Sequence, residues 1–194
     1  ISKVMAGMIV PILAKYRERS LKGELMDIIK RIIADSEAEA KKVFLQEIFP
    51  KLLRNLRLDF IEIYLQEKIY EMVYDENEEI GLMALELILR NATRFSLEEQ
   101  SSRIVKLFID SLTSKNEKIA MLVTSFMGET YHKLQGIILK SEHNCTKLWK
   151  SLIEVAESKN EKILNNFIFN LPGILLLAKN HHRVDPLCEV YTEL

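Results

Sequence analysis

A six-residue stretch that occurs twice constrains the fold of this chain more than any other feature. The sequence Ser-Lys-Asn-Glu-Lys-Ile at 114–119 returns unchanged at 158–163, 44 residues later. A degenerate copy begins at Asp75, 39 residues before the first, and a fainter one begins at Asp35, 40 residues earlier still. Recurrence with a period of about 40 residues is typical of arrays of helix pairs. The chain is therefore expected to be a series of similar helical units.

Apolar residues recur at fixed distances from four anchor residues, which are Asp35, Asp75, Ser114 and Ser158. They stand ten, six and two residues before each anchor, and five, nine, thirteen and seventeen residues after it. Residues spaced by four lie on one face of a helix. One helix is therefore predicted to end at each anchor, and a second helix to begin just after it.

The anchors are predicted to start the second helices through capping boxes. Ser114 and Glu117 have the required spacing, in which Ser114 accepts from the backbone N–H three residues on and Glu117 reaches back to the N–H of Ser114. Loss of such a cap costs about 1 kcal/mol. The same spacing recurs at Asp75 and Glu78, at Ser158 and Glu161 and, shifted by one residue, at Ser36 and Glu39.

This register predicts an all-α fold, an α-α solenoid of about four to five helix pairs that forms a fragment of a longer array; the family resemblance given below implies that its superhelix is right-handed. The whole of 1–194 is expected to be one α-solenoid segment. Its predicted units are a half repeat at 1–19, full units at 20–57, 58–95, 97–140 and 146–183, and the start of a further repeat at 185–194.

Finer features are predicted within these units. The second helices are expected near 37–56, 76–93, 117–139 and 161–178, with an interruption of the third at Gly136. The stretch 140–147 is predicted to be a polar insertion before a helix that begins at Lys147. Pro11, Pro50 and Pro172 fall late in second helices, where each proline either bends the helix or divides it in two.

Composition excludes several classes of function. The 194 residues carry a formal net charge of −1, whereas a dedicated nucleic-acid binder usually has a strong basic excess. No apolar run approaches the roughly 18 residues of a membrane span. Cys145 and Cys188 show no pairing pattern, which is typical of reduced thiols in a cytoplasmic or nuclear protein.

The sequence contains no pattern that predicts catalysis, a cofactor or a metal. It has no glycine-rich phosphate loop, no Cys-x-x-Cys and no His-Glu-x-x-His. His181 and His182 have no third ligand at a suitable spacing. Cys145 and His143 are expected in the polar insertion, away from any buried base. The chain is therefore expected not to be an enzyme.

The period and the turn resemble those of the HEAT/armadillo repeats. An Asp at the end of the first helix, a polar turn and an apolar residue five positions on resemble the HEAT consensus. The basic residue that often follows in that consensus is absent from three of the four units, and Ser replaces Asp in the last two. The matching residues are Asp35, Asp75, Ile80, Ile119 and Ile163.

Within the HEAT proteins, the stretch 169–178 looks like second-helix segments in scaffold and regulatory subunits of protein phosphatases 2A and 4. That resemblance implies a noncatalytic scaffold that holds a Ser/Thr phosphatase catalytic subunit. The alternative is a transport receptor, or an adaptor of the coat type, that wraps its cargo with the same curvature.

A row of basic residues is the main candidate surface for a protein partner. Lys15, Arg54, Arg94 and Lys133 stand at one position near the ends of successive second helices, and Glu residues are concentrated at their starts. Favourable interaction with the helix dipole explains this distribution, and an acidic partner segment could also bind the basic row. The exposed turns add Asn77, Asn116 and Asn160 to the candidate partner-binding residues.

Overall fold

All regular secondary structure in the described part of the chain is helical, which confirms the all-α class. The computed structural model describes residues 27, 29–31, 34, 37–55, 65–94 and 98–178. The chain divides into two compact units, Ile1–Ile88 and Leu89–Leu194. None of the described helices has the length and apolar character needed to cross a membrane. The predicted segments at 1–19 and 185–194 lie outside the described residues.

Within 37–55 and 65–90, the first unit shows one long helical segment and two further helices, and the described residues 27, 29–31 and 34 are also helical. Helix α1 (Ala38–Val43) continues through a π-helical turn at Phe44–Ile48 into α2 (Phe49–Asn55), as the predicted helix at 37–56 requires. Pro50 is the second residue of α2, two residues after the π-helical turn ends, so the helical segment continues through this proline. The other two helices are α3 (Glu67–Met72) and α4 (Glu78–Arg90), whose last residues belong to the second unit.

The second unit contains two helix pairs that pack side by side. After a short 3-10 helix at Ala92–Arg94, the chain forms α5 (Glu98–Leu112), α6 (Glu117–Ser125), α7 (Met127–Ile138), α8 (Glu142–Ala156) and α9 (Glu161–Ala178). Helix α5 packs on α8, while α6 and α7 pack on α9. The first helix of one pair thus lies on the first helix of the next pair, and second helix lies on second helix.

Burial confirms most of the predicted apolar rows. The rows around Ser158, for example, bury Leu148, Leu152, Phe167 and Leu171. Among the predicted apolar positions that the structure describes, four are only half-buried, and all the others are buried. The half-buried ones are Ala40, Val73, Ile119 and Leu175.

In the second unit the structure corrects two predicted boundaries and decides between the two alternatives for Pro172. The helix predicted at 117–139 is interrupted at Phe126, between α6 and α7, whereas Gly136 is inside α7. The stretch 140–147 is mostly helical, because Ser141 caps α8 by accepting from the backbone N–H of Asn144 at 3.3 Å. Helix α9 continues through Pro172, so this proline does not divide its helix in two.

Candidate interaction surfaces

The repeated turn closes through a relay of two side chains. At the start of α6, the hydroxyl of Ser114 accepts from the backbone N–H of Asn116 at 3.2 Å. The side-chain oxygen of Asn116 then accepts from the backbone N–H of Lys118 at 3.0 Å. Asn116 is therefore the N-cap of the helix, and Ser114 fixes the turn that presents it.

The other two described turns use the same relay. Ser158 accepts from the N–H of Asn160 at 3.2 Å, and Asn160 accepts from Lys162 and Ile163 at 3.1 and 3.3 Å. Asp75 accepts from the N–H of Asn77 at 2.9 Å. Asn77 in turn accepts from the backbone N–H groups of Glu79 and Ile80.

The capping boxes predicted at these three turns are therefore wrong by two residues. The anchor side chain accepts from the residue two positions on, and the Asn at that position caps the helix. In the second unit, the carboxylate of Glu117 accepts from the side-chain amide of Asn160 at 3.2 Å, which links successive turns. The shifted box at Ser36 lies outside the described residues, and Glu37, the N-cap of α1, makes no side-chain capping bond.

Each unit has a groove beside a repeated turn. In the second unit a cavity of about 150 Å³ separates the two identical turns, and its lining includes Ser114, Ser158, Glu154 and Ile163. In the first unit a larger cavity of about 550 Å³ is lined by α1 and by the turn that holds Tyr74 and Glu76. The turns therefore border concave surfaces whose linings mix polar and apolar side chains.

An ion pair between Lys41 and Asp75 lines the groove of the first unit. The ammonium of Lys41 donates to the carboxylate of Asp75 at 2.6 Å. Burial by itself raises the pKa of Asp75. The hydrogen bonds from Lys41 and from the N–H of Asn77, together with the charge of Lys41, lower the pKa by a larger amount, so the net shift is downward. Tyr74 beside this pair is exposed.

The predicted basic row has different surroundings at each described position. Arg54 is exposed on α2, and Arg94 is half-buried in the 3-10 helix. Lys133 donates to the backbone carbonyl of Arg90 and to the carboxylate of Glu129, so part of its charge is neutralised within the fold. Lys15 lies outside the described residues. The role of this row in partner binding stays a prediction.

Glu129 joins two basic residues of the second unit. Its carboxylate is 2.5 Å from the ammonium of Lys133 and 3.2 Å from the guanidinium of Arg90. The hydrogen bond from Lys133 lowers the pKa of Glu129, burial opposes this effect, and the charges of Lys133 and Arg90 add to the lowering. The guanidinium of Arg90 also lies 4.6 Å from the centre of the Phe126 ring. This cluster covers the break between α6 and α7.

The break itself is made by a polar contact that the sequence did not indicate. The side-chain amide of Asn170 donates to the carbonyl of Thr124 at 3.2 Å, and its oxygen accepts from the N–H of Gly128 at 3.2 Å. In a continuous helix, Gly128 would donate to Thr124 directly. The carboxamide therefore takes the place of one helical hydrogen bond. Asn166, one turn earlier on α9, donates to Met121 and Thr124.

An exposed apolar face lies on α9. Phe169 is 84% exposed and Leu176 is 67% exposed, and Pro172 and Gly173 between them are also exposed. Large apolar side chains grouped on an exposed surface mark interaction sites in folded proteins. Neither residue was among the predicted partner-binding residues or in the predicted apolar rows, and both lie in the stretch 169–178 that resembles phosphatase subunits.

The cysteine of the predicted polar loop is in the interior. Cys145 is buried in α8, and its thiol donates to the carbonyl of Ile138 at 3.3 Å. Burial raises the pKa of the Tyr131 hydroxyl to about 12, and Cys145 adds to this shift. The Tyr131 ring lies 6.4 Å from that of Trp149. The placement of Cys145 in a polar loop is therefore wrong, because α8 begins before it.

In the described ranges, no group of three His, Cys, Asp or Glu side chains is arranged to hold a metal ion. Comparison of the chain with protein-family models, with curated proteins and with solved structures finds no match. Inference about function therefore depends on the turns, the grooves and the exposed faces described above.

Proposed function

We propose that the protein is a noncatalytic scaffold for protein–protein interaction, built from helix pairs of the HEAT-like, right-handed superhelical type. The observation that carries this proposal is the packing of like helix on like helix in the second unit, where α5 contacts α8 and α6 and α7 contact α9. Helix pairs stacked in this way form extended surfaces that bind other proteins.

The repeated turns support the same proposal. Each described turn is closed by the same Ser/Asp–Asn relay, and in the second unit Asn160 and Glu117 join one turn to the next. Grooves with mixed polar and apolar linings lie beside the turns. Exposed turns with a fixed backbone and a groove beside them are suited to hold a segment of another protein.

The partner we propose is a Ser/Thr phosphatase catalytic subunit. The basis is the resemblance of 169–178 to segments of the scaffold and regulatory subunits of phosphatases 2A and 4. The predicted basic row supplies a contact for acidic segments of such a partner, and Arg54 on α2 is its most exposed described member. Association through exposed charges should weaken as salt is raised.

Affinity purification of the protein from cells, followed by mass spectrometry, tests this proposal. A Ser/Thr phosphatase catalytic subunit is expected among the captured proteins. Capture of a Ran-class GTPase or of vesicle coat subunits would instead favour the transport-receptor alternative. Substrate turnover by the purified protein alone would contradict a noncatalytic role.

A charge-reversal pair tests the basic row within the same experiment. The variant Arg54→Glu/Arg94→Glu should fold with the helix content of the wild type and recover less phosphatase, by a factor of about ten if two charged contacts are lost. The matched control is Lys106→Glu/Lys150→Glu, which reverses two exposed lysines on α5 and α8, outside the turns and the basic row. Equal recovery by both variants would remove the basic row from the proposed surface.

A further inference from the structure

The exposed face of α9 is apolar and carries no charge. Phe169, Pro172, Gly173 and Leu176 follow the spacing i, i+3, i+4, i+7, which places them on one side of the helix. No charged residue occurs from Ile163 to Ala178. A face of this kind is unfavourable in water and favours another apolar surface.

The preceding helix pair keeps the equivalent face polar. Counting from the anchors, Ser125 corresponds to Phe169, Glu129 to Gly173 and His132 to Leu176, and all three of these polar residues are exposed. The repeat therefore does not require apolar side chains at these positions. Their presence on α9 needs a separate explanation.

We propose that a second copy of this chain covers the face, with two α9 helices packed antiparallel about a two-fold axis. The axis passes between Pro172 and Gly173, which places Phe169 of each chain against Leu176 of the other. A two-fold interface requires such reciprocal contacts. The spacing fits because Phe169 and Leu176 lie at equal distances along the helix from this point.

Two further observations favour a second copy over a charged partner. A Cβ atom built at Gly173 meets no atom within 4 Å, so the backbone of a second helix can approach closely at the centre of the face. Because the face has no charge, two copies bring no like charges together, and a charged partner surface would lose hydration without gaining an ion pair.

The size of the face indicates how strong the association is. Its exposed apolar side chains offer roughly 400 Å² per chain, about half of the 800 Å² buried by each partner in a stable complex. The dimer is therefore weak and concentration-dependent, and it is expected only at high protein concentration.

Sedimentation equilibrium of the full chain between about 5 μM and 1 mM tests the proposal. The wild type should change from monomer to dimer within this range, and Phe169→Glu and Leu176→Glu should each weaken dimerisation at least tenfold. The matched control Tyr74→Glu places the same charge at another exposed aromatic residue and should dimerise like the wild type. Wild-type protein that stays monomeric at 1 mM overturns the proposal, whether another protein or another part of the chain covers the face.

Cross-linking distinguishes the two-fold arrangement from other dimers. In a Cys145→Ala/Cys188→Ala background, a chain with Phe169→Cys is mixed with a chain with Leu176→Cys and treated with a short bismaleimide. Cross-links between the two different chains should form at least five times faster than those within either type. Faster cross-linking between two copies of the Phe169→Cys chain would overturn the antiparallel packing.

This proposal does not depend on the scaffold function. A monomeric protein that still captures a phosphatase would overturn only the dimer, and a dimer without captured phosphatase would count only against the partner proposed above.

Discussion

The backbone N–H of Gly128 donates to the side chain of Asn170, 42 residues later in the chain, at 3.2 Å. The same carboxamide donates to the carbonyl of Thr124, so the contact replaces a hydrogen bond that α6 and α7 would otherwise share. A Cβ atom at position 128 would lie 2.9 Å from the oxygen of Asn170. The pair therefore fixes both the break in the helix and the residue type at position 128.

Replacement of Gly128 by Ala should destabilise the protein by roughly 1–3 kcal/mol, because the added methyl group forces Asn170 out of position. The matched control is Gly136→Ala, at a helical position where an added Cβ meets no atom within 4 Å. That variant should gain roughly 0.4–1 kcal/mol, because alanine reduces the entropy of the unfolded chain. Urea unfolding followed by circular dichroism measures both, and a gain for Gly128→Ala would contradict the contact.

Replacement of Asn116 by Ala should cost about 1 kcal/mol, because Asn116 is the residue that caps α6. Asn116→Ser keeps an acceptor at the cap and should restore most of this loss. Ser114→Ala removes only the bond that fixes the turn and should cost less. Thermal unfolding of the three variants decides the point, and a larger loss for Ser114→Ala would restore the capping box predicted from the sequence.

Replacement of Tyr131 by Phe should change stability little at neutral pH. The hydroxyl is buried without a hydrogen-bond partner among the described residues, so its removal leaves no polar group unpaired. The pH dependence of stability should differ between the two proteins in alkaline solution. Burial raises the pKa of Tyr131 from 10.0 to about 12, so the wild type has a stabilising contribution below pH 10 that is lost as the pH rises toward 12. Urea unfolding between pH 9 and 12 should show that the free energy of unfolding falls more steeply with pH for the wild type than for Tyr131→Phe. An equal fall for both proteins would count against burial of the hydroxyl.

Replacement of Asp75 by Asn should flatten the acid limb of the stability curve. Burial raises the pKa of Asp75 in the folded protein, but the hydrogen bonds from Lys41 and from the N–H of Asn77 and the charge of Lys41 outweigh this effect, so the net shift is downward. The pair therefore stabilises the fold above the ordinary carboxyl pKa of 3.8, and this contribution is lost as the pH falls. Unfolding at pH 6 and at pH 3 measures the difference. The control Lys41→Met should flatten the curve in the same way, and a full acid response in both variants would exclude the pair as its source.

The helices of this chain could be predicted because burial imposes a strict period on the sequence. Residues spaced by four around Ser114 and Ser158 had to share a face, and the structure buries Phe108, Leu112, Val123 and Phe167 accordingly.

The caps and the break could not be predicted from local sequence. Ser and Asn are both good N-caps, so a turn that contains Ser114 and Asn116 two residues apart offers two starts for one helix. The break at Phe126 depends on Asn170, a residue of another helix, whereas glycine at 136 gave a plausible local reason for a break that does not occur. The exposed face of α9 was missed because Phe169 and Leu176 fall outside the predicted apolar rows, and a spacing rule for buried residues says nothing of apolar side chains on the opposite side of the helix.

The bend between α6 and α7 depends on α9 as much as on the sequence of α6 and α7 themselves. If the segment 117–138 were transplanted into an engineered repeat protein whose following helix lacks an Asn equivalent to Asn170, Gly128 could donate to Thr124 and the two short helices would merge into one rod. Such a unit cannot be exchanged freely between repeat proteins, since part of its backbone conformation is set by the unit that follows it.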